Sequence, residues 1–300
     1  MKTKNKITNI LIYILLSFLS VIWLLPILWI IIASFNGDQT GPTPVVNFAN
    51  IEGEGLTYYL NGLKDILIPS KFTLDNYINL FIGTGQFNFT RWFLNTLFVA
   101  VCTCIISTTL ILSTSYAFSR LRFKMRKSYM NIILLLGLFP GFLTMFAVYN
   151  ILKYIGLDQS LFGLILVYSG SASMGYYICK GFFDTIPIAL DESAHLDGAT
   201  KLQIFTKITI PLSKPIVIYT TLTSFLAPWL DFIFAKFIMG TKIDNYTVAI
   251  GLYKMLEKEF INDYFTQFCA GAVIVAIPIA ILFIFMQKFY VEGVTGGAVK

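Results

Sequence analysis

The sequence predicts an all-α integral membrane protein of about six transmembrane helices, on three observations. Of its 300 residues 56% are hydrophobic and 13% charged, with 28 phenylalanines, and the mean hydropathy is +0.74. A soluble domain of this length could not cover so much apolar surface. The apolar residues gather in runs long enough to cross about 30 Å of hydrocarbon at about 1.5 Å per helical residue. Finally, the alternation of a barrel strand is absent, and backbone groups in lipid must otherwise pair within their own segment, as only a helix allows.

The runs cover residues 9–35, 94–119, 130–154, 159–183, 211–239 and 266–290, with loose ends. Lys2, Lys4 and Lys6 precede the first, and Arg120, Arg122, Lys124, Arg126 and Lys127 crowd the connection between the second and third. Short translocated loops do not retain such basic clusters, so both belong in the cytoplasm. Residues 1–8 are then a cytoplasmic N-terminus and residues 36–93 an extracytoplasmic loop. That loop carries Asp38, Glu52, Glu54, Asp65 and Asp75 against Lys64, Lys71 and Arg91. Alternation returns residues 184–214 and the tail, 291–300, to the cytoplasm. The first run exceeds a signal-peptide h-region and no small-residue cleavage site closes it, so it reads as a retained anchor. Cys102, Cys104, Cys179 and Cys269 lie in or beside the runs and read as packing residues rather than a disulfide set or zinc site.

Residues 184–214 form a charged island between the fourth and fifth runs. Ile186-Pro187 suits a helix start and Gly198 a stop. Between them, Ala189, Ser193 and Ala194 are small enough to let a partner approach the backbone. Leu202, Phe205 and Ile208 recur at three-residue spacing, predicting a second amphipathic helix up to Pro211. A helix-turn-helix parallel to the membrane follows. Physics alone leaves two occupations open for it, lying on lipid headgroups or docking a protein. Asp184, Asp191, Glu192 and Asp197 favour the protein, since an anionic inner leaflet repels acids.

Glu192-Ser193-Ala194, Asp197-Gly198-Ala199, Ile208-Thr-Ile-Pro211 and Pro215 together resemble the EAA loop of permease subunits in binding-protein-dependent ABC importers, with Ser193 for the usual alanine and Ile210 for leucine. Phe72-Thr-Leu-Asp-Asn-Tyr77, Asn95-Thr-Leu-Phe-Val99, Tyr116-Ala-Phe-Ser-Arg-Leu-Arg-Phe123 and Gly293-Val-Thr-Gly-Gly-Ala-Val-Lys300 resemble the carbohydrate branch of that family. Asp244-Asn-Tyr-Thr-Val-Ala-Ile-Gly251 is similar to its maltose and maltodextrin permeases of the second, G-type, subunit. Residues 37–70 have no counterpart in it.

The resemblance implies a multi-pass permease of the bacterial plasma membrane, whose core, residues 94–290, pairs with a homologous permease. Glu192, Ser193, Ala194, Asp197, Gly198, Ala199, Ile208 and Pro211 would then contact an ABC ATPase dimer, which holds the ATP and magnesium. Gly293, Thr295, Gly296 and Gly297 in the tail would reach the same dimer. Asn245, Tyr246 and Thr247 would meet an extracytoplasmic sugar-binding protein or lipoprotein. The implied cargo is an oligosaccharide, maltose or maltodextrin first, with galacto-oligosaccharides or another glycan as alternatives. The sequence itself holds no GxxxxGK[ST] phosphate loop, so nucleotide chemistry falls to another subunit, and neither a metal site nor a nucleic-acid partner is expected.

Other residues carry competing readings. His195, the single histidine, lacks the further ligands a metal would need and reads as a solvated or partner-facing side chain. An ionisable residue within an apolar run is costly. Asp231 is therefore either the relay of a cation-coupled secondary transporter or a polar contact where Pro228 interrupts the helix, close to Lys236. Asp231 and Trp229 are also the candidates for a substrate path. Pro140, Pro228, Pro278 and the run Ser169–Gly175 mark kinks or close packing. A membrane enzyme would need a deep cluster of His, Cys or carboxylates, which is missing.

Overall fold

The computed structural model describes residues 2–37, 71–83, 86–171 and 173–296. In chain order its helices are α1 (Lys2–Ser34), α2 (Asp75–Ile82), α3 (Phe89–Arg120), α4 (Arg126–Gly137), α5 (Gly141–Tyr154), α6 (Leu161–Gly170), α7 (Ser173–Asp184), α8 (Ile188–Leu196), α9 (Lys201–Leu212), α10 (Lys214–Leu230), α11 (Ile233–Met239), α12 (Val248–Met255) and α13 (Ile261–Gly296). One isolated antiparallel bridge joins Asn36 and Phe72.

Three stretches, Asn9–Ser34, Phe89–Arg120 and Ile261–Gln287, are long and apolar enough to cross a membrane alone. Three further pairs qualify when joined: α4 with α5 at 102°, α6 with α7 at 41°, and α9 with α10 at 88°, for up to 6 spans. The all-α, about-six-span expectation therefore stands, but three runs that looked continuous are divided. The third breaks at Leu138–Pro140, because proline lacks an amide proton and pushes the residue before it out of the helical region. The fourth bends beyond Gly170, within the small-residue run. The fifth breaks at Asp231, whose backbone is extended, whereas Pro228 lies inside α10. α13 continues past the predicted end of the sixth run through Gly293, Thr295 and Gly296, and Gly297 lies outside the described residues.

The described residues fall into two compact units, Met1–Thr90 with Gly251–Ile277, and Arg91–Ile250 with Pro278–Lys300. In the first, α1 is exposed from Asn9 to Leu28, as expected of a helix meant for lipid. There Trp29 meets Phe265 and Phe35 meets Tyr77, with ring centroids 5.8 and 5.3 Å apart. Asn76, 2% exposed, organises this corner. Its amide donates to the carbonyls of Ser34 (3.0 Å) and Asn36 (2.7 Å), and its oxygen accepts from the Thr266 hydroxyl (3.0 Å). Gly271 lets α13 approach closely, since a Cβ there would lie 2.6 Å from Leu252.

Leaving buried polar groups unpaired is costly, so Asn76→Ala is expected to lower stability by about 2 kcal/mol. The midpoint of thermal unfolding in detergent, against wild type, measures it.

The core of the second unit lies between α3, α7 and α10: Ile111, Leu112 and Tyr116 pack with Cys179, Phe183, Ile186 and Ile216. The Cys179 thiol and Thr220 hydroxyl are 3.0 Å apart inside it. None of the four cysteines forms a disulfide, and Cys179 and Cys269 are buried.

Candidate functional site

The island folds as two short helices joined by a determined turn. Pro187 caps α8 with extended backbone, and Ile188 begins the helix. At its end the Gly198 amide donates to the His195 carbonyl and the Ala199 amide to the Ala194 carbonyl, both at 3.0 Å. These paired bonds satisfy the last carbonyls of α8 and require a left-handed residue between helix and loop. Gly198 supplies it at φ +85°. α9 opens with a reciprocal cap: the Gln203 amide donates to Thr200 Oγ1 (3.3 Å), and the Thr200 amide to Gln203 Oε1 (2.8 Å).

Pro211 does not end α9, as the sequence suggested. The helix widens to a π turn over Phe205–Thr209, where the Ile210 amide bonds five residues back to Phe205. That register change accommodates a proline with no amide to offer Lys207. The chain turns instead at Ser213, and Pro215 lies in the first turn of α10.

Contacts from the end of α3 fix the hairpin. The Tyr116 ring lies 4.7 Å from that of Phe205, and its hydroxyl donates to the Lys201 carbonyl (3.2 Å). Ser119 donates to Asp184 (2.6 Å), which also pairs with Lys180. Partial burial of Asp184 works against its charged form. Bonds from Lys180 and Ser119, with the charges of Lys180 and Arg126, outweigh this and hold the carboxyl below its usual range. The tie is accordingly complete above the ordinary carboxylate pKa and is lost as pH falls through the lowered one. Arg120 Nη2 donates to the carbonyls of Phe183 and Ile186, both at 2.7 Å, and its Nε lies 3.4 Å from Asp191 Oδ2.

Two of the island's four acids, Asp184 and Asp191, are thus used within the chain, leaving Glu192 and Asp197 facing outward. Ser193, His195, Gly198 and Pro211 are exposed as well, and Ala194, Ala199 and Ile208 half-buried. Leu196 is 89% and Leu202 69% exposed, an apolar tip on either side of the turn. A notch of about 320 Å³ opens between Asp197, Gly198, Ala199, Gln203, Lys207 and Ile208. Sequence reading missed Arg120, counted as one of a basic cluster. It also missed the Thr200-x-x-Gln203 cap, for which a residue pattern was present.

The segment holding Asn245, Tyr246 and Thr247 is tied down from beneath. Asn95 Nδ2 donates to the carbonyls of Asp244 (2.9 Å) and Tyr246 (3.0 Å), and Trp92 to that of Ile243 (3.3 Å). Asn245 donates to the Gln159 carbonyl (2.7 Å), and Thr96 accepts from the Val248 amide (2.7 Å). Tyr246 and Thr247 are buried and Asn245 is half-buried, so the exposed part of the segment is residues 241–244. Two of the three residues expected to meet a binding protein are thus covered by their own chain.

Asp231 accepts the Tyr168 hydroxyl (2.6 Å) and the amides of Phe234 and Ala235, both at 3.1 Å. It caps α11 and forms no salt bridge with Lys236, whose ammonium donates to the Tyr246 hydroxyl (3.3 Å) and lies 4.8 Å from the centre of that ring. Trp229 is 4% exposed and packs on Phe93 and Phe225. Trp229 is thus enclosed by its own chain, whereas Asp231 borders a cavity of about 530 Å³ together with Tyr168 and Phe234.

This organisation defines a class, multi-span membrane proteins with a short helical hairpin leading into α10. The fold is that of a bacterial ABC transporter involved in import of the acidic polysaccharide alginate, with a TM-score of 0.75 at 23% identity over 96% of this chain and 98% of that one. The family model "Binding-protein-dependent transport system inner membrane component" matches residues 4–295, and the chain belongs to that family. It is 35% identical to the galactooligosaccharides transport system permease protein GanQ of Bacillus subtilis, over 100% of this chain and 98% of that one. It is 32% identical to the maltodextrin transport system permease protein MalD of Streptococcus pneumoniae, with the same coverage. The chain is a multi-pass inner-membrane permease component of an ABC transporter, not its catalytic subunit, and the secondary-transporter alternative falls.

Proposed function

We propose that this chain is one of two membrane-spanning subunits of an ATP-driven oligosaccharide importer, and that the α8–α9 hairpin docks a cytoplasmic ATPase. One observation carries the docking: a hairpin determined by caps and anchored at its base projects Leu196 and Leu202, 89% and 69% exposed, beside the small residues Ser193 and Ala194. Projecting leucines on so ordered an element suit a protein cleft. Nucleotide and magnesium are held by the ATPase, for this sequence has no phosphate loop. The exposed residues 241–244 face the sugar-binding protein on the other side. A cavity of about 530 Å³, bounded by Phe139, Thr144, Tyr168, Ser171, Tyr176 and Asp231, offers aromatic faces and hydroxyls to a passing sugar.

Similarity to permeases named for galactooligosaccharides and for maltodextrin supports an oligosaccharide cargo. Uptake of the two labelled sugars by cells expressing the complete system, each competed with the other, decides between them. For the docking, Leu196→Asp is expected to cut co-purification of the ATPase at least about tenfold, since a charge replaces a desolvated anchor. Undiminished co-purification would reject the hairpin as the ATPase contact.

A further inference from the structure

We infer that Arg120 is the positioning residue that makes α3 and the docking hairpin move as one piece, an inference resting on the docking reading above. The hairpin is joined by the chain to α7 through residues 185–187 and to α10 at Ser213, but α3 is remote in sequence. Its link to α3 is therefore noncovalent, and Arg120 is its centre. Arg120 is the last residue of α3, with a side chain 7% exposed. Nη2 binds the carbonyls of Phe183 and Ile186, which close α7 and lead into α8, at 2.7 Å each. Nε faces Asp191, 14% exposed, in the first turn of α8 at 3.4 Å.

The chemistry suits that corner. A helix C-terminus leaves carbonyls unpaired and attracts a cation, while a helix N-terminus favours an acid. One guanidinium serves both, because its planar fork donates in several fixed directions where a lysine ammonium is a single point charge. Tyr116, one turn earlier, adds its bond to Lys201 at the start of α9, and Ser119 its bond to Asp184 at the end of α7. A single face at the end of α3 thus holds α7, α8 and α9. A force on the hairpin that would otherwise pull only α7 and α10 is delivered to α3 as well. A basic residue serving only membrane orientation would have no reason to be so buried.

The test uses the complete transporter in liposomes, comparing Arg120→Met, Arg120→Lys and Asp191→Asn with wild type, and Gly198→Leu as a lesion of the hairpin itself. Bound ATPase, ATP hydrolysis and sugar uptake are measured together. Arg120→Met is expected to retain the ATPase and its hydrolysis while sugar moved per ATP falls about tenfold, because both carbonyls and the Asp191 carboxylate lose their partner. Arg120→Lys should recover part of the loss, and Asp191→Asn should show a smaller one. Wild-type uptake per ATP in Arg120→Met overturns the inference. So does a parallel loss of bound ATPase, hydrolysis and uptake, which would make Arg120 a folding residue only. Should Arg120→Met fail to accumulate, wild-type coupling in both Arg120→Lys and Asp191→Asn would overturn it equally. Normal coupling in Gly198→Leu would instead overturn the docking reading.

Discussion

Gly198→Leu is expected to reduce sugar uptake by the assembled transporter at least about tenfold while ATP hydrolysis continues, since an L-residue in the left-handed region costs about 1–2 kcal/mol and displaces the turn. The turn is where the hairpin is least replaceable. Both capping bonds of α8, from the Gly198 and Ala199 amides, need φ +85° at position 198. Within the chain a Cβ at this position would meet nothing within 4 Å. The constraint is consequently one of backbone conformation, not of space inside the subunit. That makes the prediction divisible. Asparagine tolerates the left-handed region better than other side chains, so Gly198→Asn should keep the turn and recover most of the uptake. Leucine has no such recourse, and displacing the turn moves Leu196 and Leu202 together. Reconstituted complexes assayed for uptake and hydrolysis in parallel would check both variants. Normal uptake by Gly198→Leu would remove the hairpin from the coupling path.

The hairpin was legible because its determinants are local. Pro187, Gly198 and the three-residue spacing of Leu202, Phe205 and Ile208 act within a few residues of themselves. The expected orientation rests likewise on a local signal, the count of Lys and Arg on short loops. What could not be read were the features set by distant partners. Arg120 looked like any member of its basic cluster, and only folding brings the Phe183 and Ile186 carbonyls to it from 63 and 66 residues away. Tyr246 and Thr247 sit in a segment whose composition suits a surface. Trp92, Asn95 and Thr96 bind its backbone from below and turn those two side chains inward. Pro211 misled for another reason: a proline ends a helix only if the ladder keeps its register, and the π turn before it shifts that register by one residue.

Asp231 carries the second large effect, and its environment dictates the order of its variants. The residue lies where α10 has stopped and α11 has not begun, so the first amides of α11 have no partner within the helix. The carboxylate supplies one to Phe234 and another to Ala235, and holds the Tyr168 hydroxyl besides. Asp231→Leu deprives all three donors at once in apolar surroundings. Bonds to a charged group are worth about 1.5–3 kcal/mol each, so a loss of about 3 kcal/mol or more is expected, read as a lowered unfolding midpoint in detergent. Asp231→Asn keeps the shape and one acceptor oxygen, and should lose about 1 kcal/mol. An ion-coupling carboxylate would behave otherwise: it must release and rebind its cation each cycle, which three standing donors oppose. Uptake at constant ATP should therefore be indifferent to a protonophore, in wild type and in whatever fraction of Asp231→Asn assembles. Protonophore-sensitive uptake with the ATP pool intact would show that Asp231 does more than hold a broken helix together.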